Sequence, residues 1–386
     1  GNYFSPIVKH VAILVVGVFF MVVVLNIPCR YFKHITVIAL GVAFVTLLAV
    51  PFVGEVVNGS RRWLSILGIQ FQPSEIGKGA LVLATAQILS AMQTDKGADP
   101  KAFHYILTVC AFIIPLIFRE NFSTAILLIA VIILMMFIGR VPLRQIGKLL
   151  GVLSLTALLF LALVMGLGDT PSEDTKVPEE KALSEQQAKN EGFNEKLFHR
   201  FGTWKGRILD FMNNKEVPPQ QFDLDEHAQV GHANIAIASS NFVGKGPGNS
   251  VERDFLPQAF SDFIYTIIIE EMGIEGAIGV AMLYIILLFR TGRIASHCEN
   301  NFPAFLAMGL ALLLVSQALF NMLVAVGLAP VTGQPLPLIS KGGTSTIINC
   351  IYVGAILSIS RTAKRKTVTD SSAGTDAPSV RQAATA

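Results

Sequence analysis

The sequence predicts an all-α polytopic membrane protein, a helical bundle with about nine transmembrane helices in this chain, and three observations carry that expectation. Of 386 residues, 52% are hydrophobic and only 15% charged, with a mean hydropathy of +0.57. Soluble domains carry roughly 25% charged residues, so the apolar excess is more than one soluble core could bury. Apolar runs near the roughly 20 residues needed to span a bilayer recur along the chain. They fall at about 10–27, 34–53, 75–92, 103–118, 123–139, 147–167, 262–289, 303–328 and 345–360. Finally, Lys and Arg concentrate in alternate connections, as expected when basic residues are retained on the cytoplasmic side.

The basic connections hold Arg30 and Lys33, Lys96 and Lys101, Arg140, Arg144 and Lys148, and Arg290 and Arg293; Arg361, Lys364, Arg365 and Lys366 follow the last run. These mark the cytoplasmic face. Connections 54–74, 119–122, 168–261 and 329–344 are then expected to face outward, and so is the first residue. A chain that opens GNYFSPIVKH, without Met and with no visible signal peptide, is therefore expected to lack one N-terminal span. The organisation that follows is N-terminal transmembrane helices over 1–167, a large extracytoplasmic loop over 168–261, C-terminal transmembrane helices over 262–366 with an irregular loop at 329–344, and a disordered cytoplasmic tail over 367–386.

Composition excludes several functions. A net charge of +3 from scattered basic residues leaves no nucleic-acid footprint. Cys29 and Cys298 fall on the reducing side and Cys110 and Cys350 within spans, so no disulfide is expected. There is no CxxC or HExxH and no ligand spacing among the seven histidines, hence no dedicated metal cage.

Taken in order, the outward connections carry the polar chemistry. In 54–74, NGSRRW reads as a turn and then a segment along the interface, with Trp63 as anchor and Arg61 and Arg62 facing headgroups or an anionic ligand. FQPSEIGK starts a helix, with Pro73 in its first turn and Ser74 able to cap it. Glu75 and Lys78, at i and i+3, enter the membrane as an ion pair, either as glue between helices or as the wall of a polar cavity.

The long insertion begins with a charged stretch over 169–192, expected to be flexible. Residues 196–214 then mix aromatic and basic side chains as an amphipathic surface helix, in which Arg207 is either an anchor or a phosphate ligand. Asp223 and Asp225 form a DxD pattern that serves as helix caps or, less simply, holds a divalent cation. GKGPGNS (244–250) is either a plain glycine-rich turn or one whose N–H groups and Lys245 approach a phosphate.

Asp262 stands where this insertion meets an apolar run, so its carboxylate can stay ionised in water while touching substrates held in the membrane plane. Glu270 and Glu271 lie about 12 Å deeper at ~1.5 Å per residue, where carboxylates are costly. Gln317 and Asn321 share a helix face and suggest helix-to-helix hydrogen bonds. Pro330, Pro335, Pro337, Gly333, Gly342 and Gly343 then forbid a regular helix in an apolar segment, which at membrane depth is tolerated only when buried in protein or lining a cavity.

NGSRRW with FQPSEIGK, GKGPGNS, LPQAFSDFIYTIIIEEMG and GQPLPLISKGGTS resemble, in order from about Asn58 to Arg361, the successive motifs of the SEDS family (shape, elongation, division and sporulation proteins). The resemblance implies ten transmembrane helices, the first missing here, and a peptidoglycan glycosyltransferase that polymerises lipid II on the outer face of the cytoplasmic membrane. It implies that Asp262 is the catalytic residue. Arg61, Arg62, Glu75, Lys78, Arg207, Gln229, Lys245, Glu271 and Ser340 match other motif positions, expected to bind substrate, and Lys341 joins them as a cation near the cavity mouth. A class B penicillin-binding transpeptidase is the implied partner, with other division proteins, and the ending SKGGTSTIINC is closer to the septal branch of the family than to the elongation branch.

Three departures stand out: ENFSTA, with Asn121, replaces the usual PDLGTA; Lys341 replaces a usual Tyr; and Trp204 stands where an Arg is common. Transfer from a diphospho-lipid with inversion needs one base and cations for the leaving diphosphate, and no paired acids. The rival readings are a lipid II flippase and a non-enzymatic division scaffold.

Overall fold

The computed structural model describes residues 4–57, 60–66, 69–167, 228–256 and 259–373. All nine apolar segments are helices: α1 (Phe4–Asn26), α2 (Phe32–Val53), α3 (Pro73–Ala91), α4 (Pro100–Glu120), α5 (Phe122–Ile138), α6 (Leu143–Leu167), α8 (Ile264–Ser296), α9 (Asn301–Ala325) and α10 (Thr344–Ala373). A shorter helix, α7 (Ala228–Ser239), precedes α8. Among the described residues, six helices are long and apolar enough to cross a membrane, those of α2, α4, α6, α8, α9 and α10. Shorter apolar stretches lie in α1 (His10–Asn26) and α5 (Phe122–Ile138), while α3 spends its first two turns on Glu75 and Lys78. The chain is a multi-pass membrane protein.

The distribution of side chains is the reverse of a soluble fold. Val15, Phe19, Val37, Phe52, Leu155, Leu159, Leu283 and Phe289 are exposed on α1, α2, α6 and α8, whereas Glu75, Lys78, Glu270, Gln317 and Asn321 are buried. Lipid solvates the former. The latter must find partners inside the protein. The helices α3 and α9 form the centre: α3 packs on α2, α4 and α9, and α9 also packs on α5, α8 and α10. The apolar core between them is built from Leu81, Leu89, Ile106, Leu128, Met136 and Leu306. On the flank, α1 lies along α10, and a Cβ on Gly354 would sit 2.6 Å from the Met21 carbonyl oxygen, so a small residue sets that close crossing.

Several local expectations are corrected. Connection 54–74, read from the sequence as a turn and one segment, is a three-stranded antiparallel sheet: β1 (Glu55–Val57), β2 (Ser60–Ile66) and β3 (Ile69–Phe71), in that order, with Glu55 opposite Trp63 and Leu64 opposite Phe71. Asn58-Gly59 and Leu67-Gly68 separate β-branched and aromatic runs, which is the composition of hairpins. A second small ladder joins β4 (Gln93–Thr94) and β5 (Gly97–Ala98). Helix α3 starts at Pro73 with Gln72 at its N-cap position, so Ser74 lies inside the first turn instead of capping it. Helix α10 continues to Ala373 into the segment whose composition predicts disorder, since the first Gly or Pro after Arg361 is Gly374.

The four cysteines are free. The charged stretch 169–192, the amphipathic stretch 196–214 with Arg207, Asp223 and Asp225, and the tail beyond Ala373 lie outside the described residues.

Helix α8 is not continuous. At Gly273 (φ 66°, ψ −165°) the backbone leaves the helical region, releasing the Glu270 and Glu271 carbonyls, which accept from Lys245 N–H (2.9 Å) and Gly246 N–H (2.8 Å). In return Ile274 N–H donates to the Phe242 carbonyl at 3.2 Å. The two backbones touch through glycines: a Cβ on Gly244 would lie 2.4 Å from the Glu271 oxygen, and one on Gly273 2.2 Å from the Phe242 oxygen. Gly273→Ala is therefore expected to destabilise the protein by about 1–3 kcal/mol, the cost of a side chain in a glycine-only region. Thermal unfolding in detergent checks this, because in an ordinary helix the same change would stabilise by about 1 kcal/mol.

Candidate functional site

Asp262 lies in the turn that enters α8, at the end of the bundle where the sequence places the outward connections. The N-cap position of α8 is Phe263, so Asp262 stands just outside the helix rather than capping it. Its half-buried carboxylate accepts from the Ser261 hydroxyl through Oδ1 at 3.2 Å. Oδ2 and the Nη1 of Arg62 lie 3.5 and 3.9 Å from the point a Cβ on Gly333 would occupy. The base of α8, strand β2 and the proline-rich loop after α9 thus converge on one spot. Gly333 has φ +68°, and a side chain there would stand in contact with both groups.

The loop from Val326 to Gly343 contains no regular helix or strand among its described residues, and its carbonyls are taken by side chains of the neighbouring helices. Asn321 donates to the Gln334 carbonyl (2.7 Å), Gln317 to Pro335 (3.0 Å) and Tyr284 to Pro337. Gln334 in turn donates to the Thr124 hydroxyl at 2.7 Å, in the first turn of α5, whose N-terminus Asn121 caps through Thr124 N–H. Asn121 therefore does a capping job that needs no charge. Leu338 sits at φ +68°, a conformation that costs a branched side chain free energy and persists only where the surroundings enforce it.

Directly beneath is a buried ion pair. Lys78 Nζ donates to Glu75 Oε1 (2.8 Å) and to Gln317 Oε1 (2.8 Å), and Lys78 has 0% exposure. Gln317 thus links the pair on α3 to the Pro335 carbonyl, and Tyr352 on α10 holds the Glu75 carbonyl at 2.6 Å. Through Gln317 and Tyr352 the pair is joined to α9 and α10.

A second charged centre surrounds Glu270, with 0% exposure. Its carboxylate accepts from Lys245 Nζ (2.7 Å), Val251 N–H (3.1 Å) and the Ser250 hydroxyl, and Lys245 also donates to Ser239 at 2.9 Å. The glycine-rich loop is thereby fastened to the break in α8, and Lys245 has a protein carboxylate as its counter-ion.

Among the other predicted residues, Arg61 is in β2 paired with Val56, and Gln229 is in the first turn of α7. Glu271 is half-buried, with its carbonyl on Gly246. Ser340 is buried, its hydroxyl donating to the Ser261 carbonyl and accepting from Leu336 N–H (2.7 Å). Lys341 is exposed and its N–H holds the Phe260 carbonyl at 2.8 Å. Among the described residues no three His, Cys, Asp or Glu side chains form a metal cluster. Sequence reasoning missed Gln334, Thr124, Tyr284 and Ser250. Only Gln334, a lone amide between prolines, carried a local signal.

The family model described as the cell cycle protein family FTSW_RODA_SPOVE matches residues 1–365. The chain belongs to this family. Among FtsW/RodA/SpoVE relatives it is 32% identical over 324 residues to a probable peptidoglycan glycosyltransferase FtsW of Geobacter sp. (strain M18), covering 83% of this chain and 77% of that protein. It is 30% identical over 378 residues to a protein of the same description from Halomonas elongata, covering 95% and 84%. The fold resembles a chain of a peptidoglycan synthase complex solved for its structural coordination of polymerization and crosslinking, with a TM-score of 0.68, 21% identity and coverage of 93% and 90%. It also resembles the rod shape determining protein RodA of Thermus thermophilus, with a TM-score of 0.58, 21% identity and coverage of 92% and 87%.

The ion pair generates a stability test. Lys78→Met leaves a buried carboxylate without its counter-charge and is expected to cost about 3–5 kcal/mol. Adding Glu75→Gln to Lys78→Met removes the uncompensated charge, so the double variant should unfold at a higher temperature in detergent than Lys78→Met alone.

Proposed function

We propose that the protein is a peptidoglycan glycosyltransferase that polymerises lipid II during cell division. In this reading the nine long helices all cross the bacterial cytoplasmic membrane, and the end bearing Asp262 faces outward, at the septum. The observation that carries the proposal is the convergence of a half-buried carboxylate, Asp262, and the Arg62 guanidinium on Gly333, just outside the first turn of α8. Asp262 takes the proton of the acceptor sugar hydroxyl as that oxygen bonds to the anomeric carbon of the donor. The bond from that carbon to the diphosphate breaks with inversion, and the diphosphate leaves with the electron pair. Arg62 stabilises that developing charge, and Arg61, Arg207 and Lys341 are the further cations this reading assigns to the substrate. Lys78 and Lys245, engaged by Glu75 and Glu270, hold the site's walls.

The distribution of polar groups favours this over transport of lipid II. Charged and amide side chains in the core, Glu75, Lys78, Gln317, Asn321 and Gln334, gather at one end. Further along the same helices the core is Leu81, Leu89, Leu128, Met136, Leu306 and Phe302. A flippase needs polar footing along the whole path. The likeness to a chain of a peptidoglycan synthase complex supports a class B penicillin-binding transpeptidase as partner.

Two substitutions test the assignment. Asp262→Asn keeps size and most hydrogen bonding but removes basicity, so turnover in lipid II polymerisation is expected to fall about 10²- to 10⁴-fold with lipid II binding retained. Arg62→Ala is expected to weaken lipid II binding roughly tenfold, the worth of a charge-assisted hydrogen bond of about 1.5–3 kcal/mol. Near-normal turnover by Asp262→Asn, with the protein folded, would remove the general base from the mechanism.

A further inference from the structure

We propose that Asn321 is a positioning residue for Asp262, holding the carboxylate-bearing turn from behind through its main chain, with Ser340 as the second hold. The proposal rests on the general-base reading of Asp262 and deepens it.

Asn321 lies on α9 with 1% exposure. A side-chain amide nitrogen carries two hydrogens, and both are spent on main-chain carbonyls: Asp262 at 2.8 Å and Gln334 at 2.7 Å. One group therefore joins the residue assigned the chemistry, the loop that faces it and the central helix. The grip extends to the two preceding residues. The Phe260 carbonyl accepts from Lys341 N–H (2.8 Å), and the Ser261 carbonyl accepts from the Ser340 hydroxyl. Three successive carbonyls, 260 to 262, are thus each held by a donor from α9 or from the loop before α10.

These carbonyls need outside donors because the first carbonyl to enter the helical ladder of α8 belongs to Phe263, which accepts from Thr266 and Ile267 N–H. Without the clamp, the turn ahead of it has no regular structure to fix its dihedrals. The donors bond the main chain, so the carboxylate of Asp262 keeps its face toward Arg62 and Gly333.

The chemistry of the clamp also explains the residue types. Aspartate at 321 would turn acceptors toward two carbonyls and bury a charge; serine has one hydrogen to give; glutamine overshoots by a methylene. Ser340 has to donate and accept at once, to Ser261 and from Leu336 N–H, which a hydroxyl does.

The test uses the purified full-length protein with lipid II in polymerisation assays, comparing Asn321→Ala, Ser340→Ala, Asp262→Asn and the double variant Asn321→Ala/Asp262→Asn. A misplacement of the base by about 1 Å is expected to cost on the order of 10²-fold in kcat. Asn321→Ala should show that loss with KM for lipid II unchanged, and Ser340→Ala a loss of the same kind. In single turnover, Asn321→Ala should cost little once Asp262 is already Asn, because both changes disable the same group.

A rise in KM alone, unchanged kcat, or full additivity with Asp262→Asn would overturn the proposal, since each is what a substrate contact or a purely structural role gives. If Asn321→Ala does not fold, the same split measured on Ser340→Ala decides. Normal turnover by Asp262→Asn sinks the general-base reading and this proposal with it. An inactive Asp262→Asn beside an Asn321→Ala of normal kcat sinks the positioning role alone.

Discussion

A carbonyl buried away from water must find its donor inside the protein, and the proline-rich loop after α9 carries several that no helix or sheet satisfies. Gln317, Asn321 and Tyr284 supply the missing donors to Pro335, Gln334 and Pro337, and Ser340 and the Lys341 N–H extend the pattern to the entrance of α8. An unpaired buried polar group costs about 1–3 kcal/mol, so these bonds decide whether the loop can lie inside the bundle. Everything near Asp262 depends on that loop: Gly333 borders the carboxylate, Gln334 reaches across to α5, and the ion pair of α3 is linked to Pro335 through Gln317.

The helices were legible because a bilayer imposes a length and a polarity on each, and both are written in every run of side chains. Nine segments named from apolar runs are nine helices, most ends within about four residues, with α1 starting earlier and α8 and α10 running well past their runs. What escaped was decided by local backbone or by distant partners. The hairpins of 55–71 are too short to register as strands against the membrane signal around them. The break at Gly273 is invisible because glycine is common in membrane helices, and it takes the crossing at Gly244 to make this one a kink.

The positions of the candidate site were legible to a similar degree. Asp262 announced itself by standing where charge meets an apolar run, and the pair Glu75 and Lys78 by its spacing. The cations were harder. Spacing shows that Lys245 is a cation in a glycine-rich loop, and nothing in the sequence shows that Glu270 stands 2.7 Å from it. Gln317 and Asn321 were recognised as hydrogen-bonding groups on one face, yet their partners include an irregular main chain as well as Lys78 on another helix. Prolines explain the difference, since each removes an N–H and leaves neighbouring carbonyls to be served by side chains.

The break in α8 also gives the fold a mechanical property. Between Ile264 and Met272 the helix is a short stiff rod, roughly 13 Å long at ~1.5 Å per residue. Asp262 rides at one end. At the other, the main chain is laced to residues 242–246 through the bonds at Glu270, Glu271 and Ile274. The glycine-rich loop and the carboxylate are therefore coupled in series. The rod does not stand free between these ends: α9 holds it from the side, the Thr266 hydroxyl donating to the Ala325 carbonyl at 3.2 Å and Asn321 to the Asp262 carbonyl at 2.8 Å.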